Sequence, residues 1–383
     1  MRKERALFKY LIVLSVLILS LTAFEILSRS YLFALDNFRK APTCSISESF
    51  ETEGEFFGKY AVMSKMDDDP VLGLLPKPYD TGPGYKINGQ SFRYDEDIPE
   101  KPGENEIRVF ITGGSTAWGA GVSMDQLYSS VAEKYIGELL PDKKVRFISA
   151  GIGGSVSTQE RYWLESHILN FHPNYVMMFS GWNDSYAAYS GDRKFSDVLA
   201  RKYNYTYPWK KRPDIGKLYP EISPDDYAFK SLYFIDLFFR NAEVYEIVKS
   251  HILDEGIPVE TVLKNNEAIS KLLKSLGIEF VYVLQPTPFL TRKNLSVCEK
   301  DVLKFFASGY QLFPDYNASI YEILRERLPL HAAENHYLYV DADDIIAGTD
   351  DGIFFDYVHM GERGNRLVGE EMARLIHDLE LAR

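Results

Sequence analysis

Four short blocks combine residue types that do chemistry together. Ser115 stands in Gly113-Gly114-Ser115-Thr116, and a glycine turn recurs at Gly151-Ile152-Gly153-Gly154. A carboxamide stands in Gly181-Trp182-Asn183-Asp184, and Asp356-Tyr357-Val358-His359 places a carboxylate three residues before an imidazole. A hydroxyl, unpaired backbone N–H groups and an amide are the parts of a nucleophile beside an oxyanion hole. A carboxylate three residues before a histidine can fold back on one turn and hold the ring and its tautomer. Each block alone also has a plainer reading. Ser115 could cap a helix, Gly154 could serve a turn, Asn183 and Asp184 could be caps, and His359 could be a packed or surface ring.

The elements that must position these residues follow from the pattern around them. Short apolar runs at Arg108 to Thr112, Val145 to Ala150, Tyr175 to Ser180, Phe280 to Leu284 and Leu338 to Val340 read as buried strands. Between the first two, Leu127, Val131, Tyr135 and Leu139 mark one helix face. Ser157 with Glu160 offers a capping box for a helix running to about residue 171. Val262, Ile269, Leu272 and Leu276, ending at Gly277, mark another helix, and the last runs from Glu362 to Leu381. This alternation predicts an α/β fold with a parallel sheet covered on both faces. In such a sheet ligands bind beyond the carboxyl ends of the strands, where the first three blocks fall.

Residues 31–105 carry many prolines and only short extended pieces, Tyr85 to Ile87 and Ser91 to Tyr94, and read as a lead-in that wraps the domain beginning at 106. The third and fourth strands lie about a hundred residues apart, far more than one crossover helix requires, so an insertion is expected at about 186–256. Tyr186, Tyr189, Tyr203, Tyr205, Tyr207, Trp209, Tyr219 and Tyr227 crowd its first part, and Leu232 to Phe239 its second. These aromatics suit either a lid or substrate platform, or a small satellite core. His331 and His336 lack a metal-type spacing, and Asp341, Asp343 and Asp344 read as turn and cap residues rather than calcium ligands. No metal and no cofactor are expected.

Arg2, Lys3, Arg5 and Lys9 precede an uncharged stretch from Tyr10 to Phe24, which extends to 19 apolar residues if Lys9 snorkels from Ala6. That length is just enough for a spanning helix, so residues 1–30 are expected to form a membrane anchor with a cytoplasmic N-terminus and an extracytoplasmic catalytic domain. Secretion after signal cleavage is the alternative. The 383 residues, 45% of them hydrophobic, support an ordinary core, and disorder, collagen and disulfide scaffolds are excluded. A net charge of −12 without a dense basic run outside the N-terminus speaks against nucleic-acid binding. Cys44 and Cys298 are the only thiols, and their pairing is left open, as is the oligomeric state.

On these four blocks and their order, residues 105–383 resemble the SGNH hydrolase superfamily, the GDSL-type esterases and lipases. The resemblance implies a three-layer α/β/α, flavodoxin-like sandwich. It implies Ser115 as nucleophile, His359 and Asp356 as its catalytic partners, and Ser115, Gly154 and Asn183 as oxyanion-hole donors. One position departs: the usual Gly-Asp-Ser has Gly114 in its middle, which bears on loop support and subfamily more than on chemistry. The expected function is a serine esterase acting on acyl groups, O-acetyl foremost, of an extracytoplasmic carbohydrate. Acyl transfer to a polysaccharide, a lipid esterase and a catalytically silent binding module are the alternatives.

Overall fold

The apolar runs form one five-stranded parallel sheet in the computed structural model, which describes residues 2–38, 64–190, 228–252, 254–307, 312–350 and 352–383. The strands are β1 (Glu106–Gly113), β2 (Lys144–Ser149), β3 (Tyr175–Ser180), β4 (Glu279–Leu284) and β5 (Leu338–Asp341). Their order is β2-β1-β3-β4-β5, with every neighbouring pair parallel. This is a doubly wound, flavodoxin-like order, and the chain reverses direction across the sheet between β1 and β3. Alternate side chains of β1 explain the two covering layers. Val109 and Ile111 share a core with Met177, Phe179 and the helical residues Ile136, Val368, Met372 and Ile376. Phe110 points to the other face, against Phe92 and Phe171.

The helices of the sheet-bearing part include α2 (Ser115–Trp118), α3 (Tyr128–Leu139), α4 (Ser157–Ser166), α5 (Trp182–Ser190), α7 (Gly256–Ser275), α8 (Val297–Ala307), α9 (Phe313–Asn335) and α10 (Glu362–Leu381). Between α5 and α7 the chain forms α6 (Lys230–His251), and α1 spans Arg2–Phe38. Helices α3 and α10 pack together on one side of the sheet, while α4, α7 and α9 associate on the other. Two expectations shift here. The buried residues of α3 are Tyr128, Ser129, Ala132 and Ile136, one position on from the expected stripe, of which Leu127 is buried at the N-cap and Tyr135 packs against the core; the Tyr128 hydroxyl donates to the Ala117 carbonyl at 2.9 Å. Helix α4 is not capped by Ser157. Val156 is its N-cap, and the Gln159 carboxamide accepts the Val156 N–H at 3.1 Å. The Ser157 N–H and hydroxyl are both taken by Asp184, so Ser157 cannot close its own helix, and Glu160 turns into the interior.

The lead-in forms two antiparallel ladders, Met66–Asp69 with Gly73–Pro76 and Thr81–Gly82 with Tyr85–Lys86. Ser91 to Tyr94 contributes a single bridge, Arg93 to Ser149, rather than a strand. Arg93 is 1% exposed and stacks on Trp118 at 4.4 Å. It donates to the carbonyls of Trp118, Gly119, Gly84 and Val122 at 2.9, 2.6, 2.9 and 2.6 Å. Burial holds its pKa down at about 10, so it remains a cation at neutral pH. One guanidinium thus ties the lead-in to the turn that follows α2. Arg93→Met leaves four buried carbonyls without that donor and is expected to cost about 3–5 kcal/mol in urea unfolding. An unchanged midpoint would contradict the clamp.

The chain divides into two compact units, Met1–Thr43 with Arg212–His251, and Cys44–Lys211 with Ile252–Arg383. In the first, Glu25 accepts the backbone N–H groups of Lys230 and Ser231 at 3.0 and 2.8 Å and so caps α6. Tyr31 meets Phe234 edge-on at 5.5 Å. Leu14–Leu32 of α1 is long and apolar enough to cross a membrane and is only 6% buried; a signal sequence fits the same description. Helix α1 is continuous well past residue 30. Cys44 and the expected aromatic positions Tyr203, Tyr205, Tyr207, Trp209, Tyr219 and Tyr227 lie outside the described residues. No cysteine among the described residues is free.

Candidate active site

The strand ends deliver the blocks to one place. Ser115 opens α2 two residues after β1 ends at Gly113. Gly154 lies in the turn between β2 and α4, and Asn183 is the second residue of α5, just beyond β3. Ser115 and Asn183 therefore flank the crevice where the sheet order reverses, the position at which doubly wound folds take ligands.

Asp356 and His359 arrive from the other end of the chain on a short hairpin. Phe354 bridges Met360, the Gly361 N–H donates to the Ile353 carbonyl at 2.8 Å, and the Phe355 N–H donates to the His359 carbonyl at 3.2 Å. The base of this hairpin is fixed by Glu299. One of its oxygens accepts the Ile353 and Phe354 N–H groups at 2.8 and 3.0 Å, while the other takes the Lys293 ammonium and the Ser296 N–H, both at 2.7 Å. Burial pushes the Glu299 pKa up, but Lys293 and those backbone N–H groups outweigh it and hold it below the ordinary value. The carboxylate is therefore charged and pinned at neutral pH.

At the hairpin tip, His359 Nε2 lies 2.8 Å from Ser115 Oγ, and His359 Nδ1 lies 2.6 Å from Asp356 Oδ2. Asp356 Oδ1 accepts the Val358 and His359 N–H groups at 2.7 and 2.6 Å. An ionised Asp356 only accepts, so Nδ1 carries the ring proton and Nε2 is left to accept from the Ser115 hydroxyl. The Phe355 ring stacks on the imidazole at 5.7 Å. Glycine is required at 121, since a Cβ there would lie 2.1 Å from the Phe355 ring.

Three possible donors lie on the segments that follow β1, β2 and β3. Ser115 begins a helix, so its N–H has no partner within α2. Gly154 adopts φ +74°, its Cα faces open space, and among the described residues no backbone acceptor takes its N–H. Asn183 Nδ2 donates one hydrogen to the Ser155 carbonyl at 2.8 Å and keeps the second. A Cβ on Gly114 would fall 2.1 Å from Asn183 Nδ2, so the glycine at the departing position is what leaves room for this carboxamide. Asn183→Ala is expected to lower kcat for a short acyl ester about 10²- to 10³-fold with little change in KM. Initial-rate kinetics showing less than a threefold loss would remove Asn183 from the site.

Sequence reasoning gave Glu160 and Asp184 only capping duty. Both are buried, and among the described residues neither pairs with a cation. Burial first, and then the neighbouring Asp184 charge, push the Glu160 carboxyl well above its ordinary value; burial pushes Asp184 up to about 6 against the donors from Ser157. The folded protein therefore binds the Glu160 proton more tightly than the unfolded chain does. That contribution to stability is complete below the ordinary carboxyl pKa near 4.5 and is lost as pH rises through the folded value. Glu160→Gln should raise the Tm relative to wild type at pH about 8 and leave it nearly unchanged at pH about 4. A gap independent of pH would contradict this.

His331 pairs with the Tyr337 hydroxyl at 2.9 Å, and His336 is the left-handed residue that ends α9. Asp341 and Asp343 meet Arg325, and Arg292 bridges Asp341 and Asp344. Asp341 also accepts the Asp343 N–H at 3.1 Å, so these carboxylates do cap and ion-pair work. No cluster suited to a metal ion occurs among the described residues.

No family model matches the chain, and no curated protein matches it. Solved structures do. An acetyl xylan esterase shares 14% identity over 70% of this chain and 100% of its own, with a TM-score of 0.40. The acetylxylan esterase Axe2 from Geobacillus stearothermophilus shares 13% over 71% and 93%, at 0.37. A GDSL-like lipase from Bacteroides thetaiotaomicron shares 12% over 71% and 88%, at 0.36. Such values record a likeness only, and the chemistry below rests on the geometry of this chain.

Proposed function

We propose that this chain is a serine esterase that cleaves acyl esters, O-acetyl foremost, of an extracytoplasmic carbohydrate through an acyl-serine intermediate. The observation that carries the reading is the continuous hydrogen-bonded line from Asp356 through His359 to Ser115, with donors of three chain segments beside it. Ser115 Oγ attacks the ester carbonyl carbon as its proton passes to His359 Nε2. The oxyanion meets the Ser115 and Gly154 N–H groups and the Asn183 amide. His359 then returns the proton to the leaving alkoxide, and water, deprotonated by the same nitrogen, releases the acid and restores the serine. Asp356 fixes the tautomer and stabilises the imidazolium in both halves.

The carbohydrate preference is supported by rings beside the site. Trp182, next to Asn183, stacks on Tyr186 at 5.4 Å and lies 5.6 Å from Tyr357, between Asp356 and His359. Tyr186 and Tyr357 are partly exposed while Trp182 is buried, and partly exposed aromatic faces suit sugar rings. The extracytoplasmic placement is supported by four basic residues ahead of the apolar part of α1.

Product analysis with p-nitrophenyl acetate, with and without an acetyl-accepting oligosaccharide, tests the reading. Acetate release that matches nitrophenol release, unchanged by the acceptor, is expected. Acetylated oligosaccharide without matching acetate would make the chain an acyltransferase instead.

A further inference from the structure

Glu160 sits beneath the oxyanion hole, where the ends of three chain segments meet. Its Oε1 lies 3.0 Å from the Ser180 hydroxyl and 3.4 Å from the Ser155 hydroxyl. The Ser155 hydroxyl donates to the Gly113 carbonyl at 2.9 Å, and the Ser155 carbonyl holds the Asn183 amide at 2.8 Å. Gly113 lies two residues before Ser115, Ser155 one after Gly154, and Ser180 three before Asn183. A single carboxyl group thus touches, directly or through one hydroxyl, the backbone that carries each of the three donors.

The charge balance around this group is unusual. Glu160 is 1% exposed, and its Oε2 has no hydrogen-bond partner. Asp184 faces it from α5, and the buried Tyr282 phenol, also without a partner, faces it from β4. Asp184 holds the N–H and O–H donors of Ser157, whose hydroxyl in turn accepts from Asn265 at 3.0 Å, so the negative charge resides there. A second anion at Glu160 would stand behind donors that must stabilise an oxyanion, in a medium that screens poorly.

We propose that Glu160 is a positioning residue that braces the oxyanion hole by tying the segments of Ser115, Gly154 and Asn183 to one another. The inference rests on the esterase reading above and adds a residue to it. Glu160 touches no reacting atom. Its effect passes through Ser155 to the Asn183 amide, where a displacement of about 1 Å can cost on the order of 10²-fold in rate.

Kinetics of the full-length protein with p-nitrophenyl acetate test it. Glu160→Ala is expected to lower kcat about 10- to 100-fold with KM within about twofold, and Glu160→Gln, the neutral isostere, to restore most of that kcat. In an Asn183→Ala background the Glu160→Ala loss should shrink to less than about threefold, because the group it positions is gone. Wild-type kcat in Glu160→Ala, a Glu160→Gln as slow as Glu160→Ala, or losses that multiply in full would each overturn the brace. Should Glu160→Ala unfold, Ser180→Ala removes one of its hydroxyls at small structural cost. A several-fold kcat loss that vanishes in the Asn183→Ala background supports the proposal, and a wild-type kcat overturns it. Turnover surviving in Ser115→Ala overturns the esterase reading and this inference together, whereas an inactive Ser115→Ala beside a fully active Glu160→Ala overturns this inference alone.

Discussion

Ser115→Ala is expected to lower kcat for short acyl esters by about 10⁴-fold or more, roughly 5.5 kcal/mol of barrier, while the protein stays folded. The size follows from the step that is lost. Without Oγ there is no covalent intermediate, and the remaining donors can only polarise the carbonyl for direct attack by water. Structural cost is small, because Ser115 is partly exposed and, among the described residues, its hydroxyl bonds only to His359. Stopped-flow and steady-state assays alongside thermal melting separate the two effects. A folded variant that retains more than about a tenth of wild-type kcat would mean that another nucleophile acts.

Asp356→Asn is expected to cost nearly as much, about 10³- to 10⁴-fold in kcat at neutral pH. The substitution keeps the size of the group, but it must also face the Val358 and His359 N–H groups that Oδ1 accepts, so the new amide oxygen is held there. The NH₂ group then points at His359 Nδ1, which must become an acceptor. The ring proton moves to Nε2, opposite Ser115, and the base is lost with every atom close to its former place. A rate loss below tenfold would show that Asp356 only supports the hairpin. Asp356→Ala separates the cases further, since it frees the tautomer but removes the support, and should be slower to fold and less stable than Asp356→Asn.

The parts of the site that were legible in the sequence are those whose geometry is local. Ser115, Gly154 and Asn183 each follow a strand within a few residues, and three residues suffice for Asp356 to turn back on His359, so spacing carries their placement. The five strands were legible for a similar reason: runs such as Tyr175–Ser180 are buried on both faces and read as continuous apolar stretches. What was not legible depends on competition between distant partners. Ser157 and Glu160 spell a capping box, but Asp184 takes both donors of Ser157, and Gln159 closes the helix instead. The same competition hid the brace, since a glutamate in the first turn of a helix looks like a cap wherever its side chain ends up. Arg93 gave no local signal, because its partners are carbonyls 9 to 29 residues away. Ser296 and Glu299 do spell a capping box, but nothing local to it shows that the same carboxylate also holds Ile353 and Phe354, 54 and 55 residues on.

The most direct test of the central claim is stoichiometric labelling of the folded, full-length protein with a fluorophosphonate, followed by peptide mass analysis. The probe reacts only with a serine activated by a neighbouring base. One phosphonyl group per chain on Ser115, lost in His359→Ala and slowed in Asn183→Ala, is the result expected. A folded wild-type protein that stays unlabelled, or that carries the label on another serine, would contradict the account.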